Sequence, residues 1–317
     1  MTATQRRPRV SVVIPTYNSG PYLALALESI LGQTMADLEV VIYDDGSTDE
    51  TLSNAEKYAA RDERVRVVRG QHVGIARARN EGLAATNPGS EFITFFDHDD
   101  VWEKSALSSL VAALDAHPQC PAAHGVARCI DSHGNQFPHD DHAQNMRARS
   151  AVVGDQIVSI PRTAATSFGT LLVKNYITTP GTSLVRRSAL DAVGGFEPSA
   201  VPCDDWDLNL RLSRLGDFAF VDEELLNWRR HAQATSNSSK RWREGYMVAR
   251  RRSVTAADNT PAQRKAALVA LRNEVLALQV EAVSALRHGG GLSAAKKLAR
   301  SLLLGSIYVG SWIPLRT

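Results

Sequence analysis

Short apolar runs and helical segments alternate along the first third of the chain. "VSVVIP" (Val10 to Pro15), "LEVVIYDD" (Leu38 to Asp45), "RVRVV" (Arg64 to Val68) and "FITFF" (Phe92 to Phe96) are β-branched or aromatic stretches of strand length. Between them, "PYLALALESILGQ", "TDETLSNAEKYAARD" and "GIARARNEGLAAT" space their apolar residues as a helix does. Strands that alternate with helices predict an α/β fold whose parallel sheet is covered on both faces.

Open sheets of this kind bind ligands beyond the carboxyl ends of their strands. Polar loops cluster there: "PTYNSG" (Pro15 to Gly20), "DDGSTD" (Asp44 to Asp49), "GQHVG" (Gly70 to Gly74) and "DHDDVW" (Asp97 to Trp102). After Asp115 the pattern loosens. "HGVARCIDSHGNQF" predicts a hairpin turning at Gly134-Asn135, and Pro138 to Ser167 reads as a polar, partner-facing loop. Order returns with "TTPGTSLVRRSALDAVGGF", the helical "DDWDLNLRLSRLG" and a strand from Phe218 to His231. From Lys240 onward the chain reads helical, with Pro261 opening a long helix that Gly289 to Gly291 close. The divisions are therefore residues 9–235, split into 9–115 and 116–235, and a helical extension over 240–317.

Composition narrows the function classes. Lys plus Arg number 36 against 34 Asp plus Glu, a net charge of +2 that gives no reason to expect a nucleic-acid partner. Cys120, Cys129 and Cys203 form no close-spaced set, which points to neither a disulfide framework nor a zinc site and is compatible with a reducing cytoplasm. No signal peptide is read in "MTATQRRPRV", and the apolar stretch from Ser301 is shorter than the roughly 20 residues of a spanning helix.

The strand end at Phe96 delivers Asp97, His98, Asp99 and Asp100. Carboxylates one residue apart on an extended segment face the same way, so Asp97 and Asp99 can hold one hard divalent cation, Mn2+ or Mg2+, that also binds substrate phosphates. Asp100 is expected to cap the following helix and His98 to point away. Asp44 and Asp45 sit where a carboxylate can accept hydrogen bonds from a nucleobase or a ribose hydroxyl. Asp204, Asp205 and Asp207 open a helix, and one of them can serve as a general base. Arg229, Arg230 and His231 end the last strand, where they can meet phosphate oxygens, complete a metal shell or simply be solvated. "PHDDH" (Pro138 to His142) reads as solvated.

Taken in order, "VSVVIPTYN", "VVIYDDGSTDET", "GIARARNEGL", "FFDHDDVW", "TPGTSLVRRSALDAVGGF" and "DDWDLNLRL" followed by "WRRH" resemble the family 2 glycosyltransferases of the A-type (GT-A) fold over Arg9 to His231. The resemblance implies a Rossmann-like nucleotide-sugar-binding domain with a mostly parallel sheet, 9–115 being its nucleotide half and 116–235 its acceptor half. It implies that Pro15, Thr16, Tyr17 and Asn18 line the nucleotide pocket, that Asp44 or Asp45 recognises base or ribose, and that Arg79 and Asn80 lie near the nucleotide. It also implies that Asp97 and Asp99 are a DxD metal site, that His231 matches a late Arg-x-His, and that Asp205 is the base of an acidic pair. That pair is usually Glu-Asp and is Asp204-Asp205 here. The expected activity is inverting, metal-dependent transfer from a nucleotide-diphosphate sugar, a uridine one favoured, to a glycan or lipid-linked acceptor. The alternative is a non-catalytic protein of the same fold. Neither GxGxxG after the first strand nor a P-loop lysine motif is present, which argues against a dinucleotide oxidoreductase and a P-loop phosphotransferase.

The tail "LSAAKKLARSLLLGSIYVGSW" (Leu292 to Trp312) joins Lys296, Lys297 and Arg300 to an apolar continuation. It reads either as a helix packed on the domain or as a peripheral anchor at the cytoplasmic face of a membrane.

Overall fold

The computed structural model describes residues 7–232, 239–288 and 290–310. Its first strands are β1 (Val10–Thr16), β2 (Leu38–Asp44), β3 (Val65–Arg69) and β4 (Phe92–Phe95), connected by α1 (Tyr22–Leu31), α2 (Thr51–Ala59) and α3 (Ile75–Ala84). All three pairings among them, β3 on β2, β2 on β1 and β1 on β4, are parallel, as the alternation predicts. Beyond β4 come β5 (Val101–Trp102), α4 (Ala106–Ala116), β6 (Ala122–Ile130), β9 (Ser183–Arg186) and β10 (Ala219–Arg229). The eight-stranded sheet has the order β3-β2-β1-β4-β9-β6-β10-β5. It is mixed because β9 runs antiparallel to both β4 and β6. A single sheet thus runs through both the 9–115 and the 116–235 segments.

Alternation along each strand divides the core into two layers. Val10, Val12, Ile14, Phe92 and Phe96 face α1, α2 and α4. Val13, Ile93 and Phe95 face the other way, against α3, α6 (Phe168–Val173), α7 (Arg187–Val193), α8 (Asp204–Leu212) and the helices beyond residue 239. Both faces are covered, so the strands read as nearly continuous apolar runs.

Two expectations change. Pro138 to Ser167 is built rather than loose: it holds α5 (His142–Arg147) and a hairpin of β7 (Ser150–Val153) and β8 (Gln156–Ser159). Its short amphipathic pieces are too brief to show periodicity. The turn at Gly134-Asn135 does form, with Gly134 at φ +90°, but it closes through one bridge, Ile130 to Gln136, rather than a full hairpin. Asp131 holds it by accepting from the backbone N–H groups of His133 and Asn135 at 2.8 and 2.9 Å.

The extension forms α9 (Ser239–Thr255), α10 (Pro261–Arg287) and α11 (Gly291–Gly310). A reciprocal capping box of Thr260 and Gln263 starts α10 with Pro261 in its first turn, as the proline predicts. α11 turns back along α10, burying Ala294 and Leu304 and pairing Lys297 with Glu281 and Arg300 with Glu274. Packing therefore occupies one face of this helix. Among the described residues no helix is long and apolar enough to cross a membrane. Trp312 and the chain's last residues lie outside the described residues.

Close packing of α3 on β1 requires Gly82, where an added Cβ would lie 2.5 Å from Val13 Cγ1. Helix propensity alone would favour alanine by about 1 kcal/mol. Gly82→Ala is nevertheless expected to destabilise by about 1–3 kcal/mol, read as a lower urea midpoint. An unchanged or higher midpoint would show that the contact relaxes freely.

Candidate active site

The strand ends meet over a buried guanidinium. Arg79, in the first turns of α3, donates from Nη2 to Asp97 Oδ1 at 2.7 Å and from Nη1 to Asp204 Oδ2 at 2.8 Å, with its plane over the Phe196 ring. Burial alone would lower its pKa, but the charges of Asp97 and Asp204 outweigh that and raise it above the ordinary arginine value. Its Nε has no partner among the described residues.

After Asp97 the chain turns, with the Asp100 N–H donating to the Asp97 carbonyl. The Asp99 carboxylate lies 2.8 Å from His231 Nε2, and its backbone carbonyl accepts from Arg229 Nε at 2.9 Å. Asp100 is not a helix cap, because α4 starts only after Ser105. Instead it is buried, accepting from Thr179 Oγ1 at 3.0 Å and from the Arg229 N–H at 3.1 Å. Burial, then the charges of Asp99 and Asp97, pushes its carboxyl well above the usual range. Nor does His98 point away; it lines the same cleft.

The three acidic residues of α8 separate by their partners. Asp204 is committed to Arg79, while Asp207 pairs with Arg211 at 2.9 Å and Arg252 at 2.7 Å. Asp205 has no arginine partner among the described residues. One oxygen accepts the Trp206 N–H at 2.7 Å and the other a long bond from Asn175 Nδ2 at 3.3 Å. Burial of its carboxyl, with the adjacent Asp204 charge, pushes its pKa up to about 7. Half-buried, it lines a cleft of about 170 Å³ shared with Arg79, Asp97, His98, Asp99, Thr178 and Trp228.

The nucleotide end of the predicted site is a pair of interlocked loops. Thr16 hydroxyl donates to Asp44 Oδ1 at 3.4 Å, and Asp44 Oδ2 accepts from the Ser47 N–H at 3.1 Å. Asn18, at φ +48°, accepts from the Thr48 N–H at 2.9 Å, and its own N–H donates to Ser47 Oγ. Asp45 takes the N–H groups of Val73 and Gly74 at 2.8 and 2.9 Å, which positions the loop before α3. Pro15 is buried at the end of β1, whereas Tyr17 is exposed, its ring 4.2 Å from that of His72. Asn80 spends its amide on the Phe196 backbone, accepting at 2.7 Å and donating at 2.9 Å.

Sequence reasoning did not single out His72, Asn175 or Trp228. His72 had a signal, since it lies in a strand-end loop already recognised. Asn175 and Trp228 are ordinary residues until the fold brings them to the cleft. Within "PHDDH", Pro138, His139 and Asp141 are exposed as expected, but Asp140 accepts the Cys129 N–H at 2.7 Å and His142 Nε2 lies 2.8 Å from Thr178 Oγ1, so two of its residues are anchored rather than solvated.

The donor set suits a hard divalent cation that arrives with phosphate. No group of three or more His, Cys, Asp or Glu side chains is assembled for a metal among the described residues. Asp99 and His231 converge, while Asp97 is paired with Arg79 and shares the cleft with Asp99. Protein ligands this few leave most of a coordination sphere to diphosphate oxygens and water, the usual arrangement for Mg2+ at phosphate sites.

A mixed α/β sheet with carboxylates at this edge is the architecture of the GT-A nucleotide-sugar transferases. Residues 1–349 of S. aureus TarS in complex with UDP-GlcNAc superpose with a TM-score of 0.61 at 19% identity, covering 95% of this chain and 92% of that one. A mannosyltransferase, PcManGT from Pyrobaculum calidifontis with GDP-Man and Mn2+, gives 0.58 at 21% identity, covering 96% and 88%. The model of glycosyl transferase family 2 matches residues 11–194, and the chain belongs to that family. An Escherichia coli chondroitin synthase is 28% identical over 236 residues, 74% of this chain and 31% of the relative. The GalNAc(5)-diNAcBac-PP-undecaprenol beta-1,3-glucosyltransferase of Campylobacter jejuni is 32% identical over 129 residues, 40% of each. The chain thus spans well under two thirds of either curated relative.

Arg79→Met is expected to destabilise the protein by about 3–5 kcal/mol, because it leaves Asp204 buried and unpaired. Protonation removes that charge, so the deficit should shrink in urea unfolding at pH 5 relative to pH 8. Equal deficits at both pH values would contradict the bridging role.

Proposed function

We propose that the protein is an inverting glycosyltransferase that moves a sugar from a nucleotide diphosphate to a hydroxyl of a glycan or lipid-linked acceptor, in cell-surface polysaccharide or glycoconjugate synthesis. The observation that carries this reading is Asp205. Of the three acidic residues in the first turn of α8 it is the one without an arginine, it lines the cleft, and its pKa lies near neutrality. A carboxylate so tuned can take the acceptor hydroxyl proton as that oxygen attacks the anomeric carbon from the side opposite the leaving diphosphate. Single displacement of this kind inverts the anomeric centre.

The nucleoside lies, in this reading, along Pro15, Thr16, Tyr17 and Asn18, with Asp44 or Asp45 at the base or ribose. Arg79 and Asn80 border it, Asn80 through the Phe196 backbone it fixes. Asp97, Asp99 and His231 would hold Mn2+ or Mg2+, which supplies charge compensation to the departing diphosphate. A uridine donor is favoured; the structural neighbours carry UDP-GlcNAc in one case and GDP-Man with Mn2+ in the other. A lipid-linked acceptor agrees with the name of the Campylobacter relative; in this reading the enzyme works at the inner face of a membrane and meets it through the segment 292–312, whose last two residues lie outside the described residues.

Asp205→Asn should lower the transfer rate by about 10²–10⁴-fold while nucleotide-sugar affinity, measured by calorimetry with Mn2+, stays within a few-fold. A variant that turns over normally would end the assignment. The wild-type rate is expected to rise with pH through a midpoint near 7, since the base must lose its proton. Stability moves the other way. A carboxyl raised from 3.8 to about 7 keeps its proton in the folded state across that window, so this group's contribution falls as pH rises through it. A flat rate profile between pH 5.5 and 8 would exclude Asp205 as the titrating base.

A further inference from the structure

Helices α9, α10 and α11 enclose a groove of about 810 Å³ that shares no lining residue with the cleft and that the transfer chemistry does not use. Its floor is apolar and aromatic: Trp242, Tyr246 and Met247 from α9, Leu278 from α10 and Leu303 from α11. Trp242 and Tyr246 stack at 4.9 Å, and Tyr246 stacks in turn on Trp206 at 5.1 Å. The rim is basic. Lys297 and Arg300 are occupied by Glu281 and Glu274, but Arg243 and Lys296 are exposed and make no ion pair among the described residues. On the same helix as Leu303, Leu302 and Leu298 are 75% and 41% exposed.

Resting on the membrane contact proposed above, we infer that this groove is a docking site for an anionic membrane lipid, its phosphate held by Arg243 and Lys296 and its hydrocarbon laid over Trp242, Leu278 and Leu303. Charge and polarity select this occupant together. A soluble anion would satisfy the two cations and leave the floor wet, and a peptide of acidic residues alone would do the same. A bilayer surface presents phosphate and hydrocarbon at adjacent depths, matching a cationic rim beside exposed leucines on a helix whose opposite face is already packed.

The test is cosedimentation of the full chain, without sugar donor, with phosphatidylcholine vesicles and with vesicles containing about 30% phosphatidylglycerol. Binding to the anionic vesicles is expected, reduced at least about tenfold by the double variant Arg243→Glu, Lys296→Glu, and reduced also by Leu303→Asn. Thermal midpoints and nucleotide-sugar binding should stay at wild-type values, because these residues lie at the surface away from the cleft. Three results would overturn the proposal: no binding to either vesicle, equal binding by wild type and the double variant, or loss with charge reversal but none with Leu303→Asn, which would leave surface electrostatics alone. A groove variant that instead changes the oligomeric state in light scattering would assign the surface to a second copy. Failure here leaves the transfer chemistry untouched, since no step of the assay involves donor or acceptor.

Discussion

A single buried guanidinium joins the two acidic ends of this site. Arg79 comes from α3, Asp97 from the end of β4, and Asp204 from α8, more than a hundred residues further on. An isolated charge in that position would be costly, and an arginine held between two carboxylates is not isolated. The same bridge ties the strand end that carries Asp97 and Asp99 to the helix that carries Asp205.

Charge is distributed among the carboxylates by what each one touches. Asp97 and Asp204 share Arg79, Asp207 has two arginines of its own, and Asp100, its carboxyl raised by burial, ties the strand end to Thr179 and Arg229. What remains near the open cleft is Asp99 beside His231, and Asp205. The cluster that looks uniformly acidic in sequence is thus a set of neighbours with separate duties. Two of the duties are structural because buried polar groups must be paired.

The parallel half of the sheet was legible because β-branched runs and helical spacing are strong local signals; from Val10 to Phe95 the strand bounds held within one residue and the helix bounds within three. The antiparallel β9 was not, since a four-residue strand takes its direction from the sheet it joins rather than from its own residues. The helix over His142–Arg147 was hidden for the same reason: six residues cannot display a period. At the site, the positions of Asp97, Asp99 and Asp205 could be anticipated from their spacing and from family resemblance. The partner of each could not, because a hydrogen bond between Arg79 and Asp204 leaves no trace in either local stretch. The mistaken cap at Asp100 shows the limit plainly: four acidic or imidazole residues in a row look alike until burial distinguishes them.

Asn80 stands next to Arg79 and makes the second link between the same parts of the chain. Its amide imitates a strand partner for Phe196, and Gly195 leaves it room, since an added Cβ there would lie 2.1 Å from Asn80 Oδ1. Consecutive residues of one helix thus grip the α8 helix and the loop that leads into it. The segments before and after residue 115 are not interchangeable modules for that reason. A chimera that grafted a foreign segment onto this chain's first 115 residues would have to import a Gly-Phe loop and a helix-opening aspartate in the matching register, or else leave a buried arginine and an amide with nothing to hold.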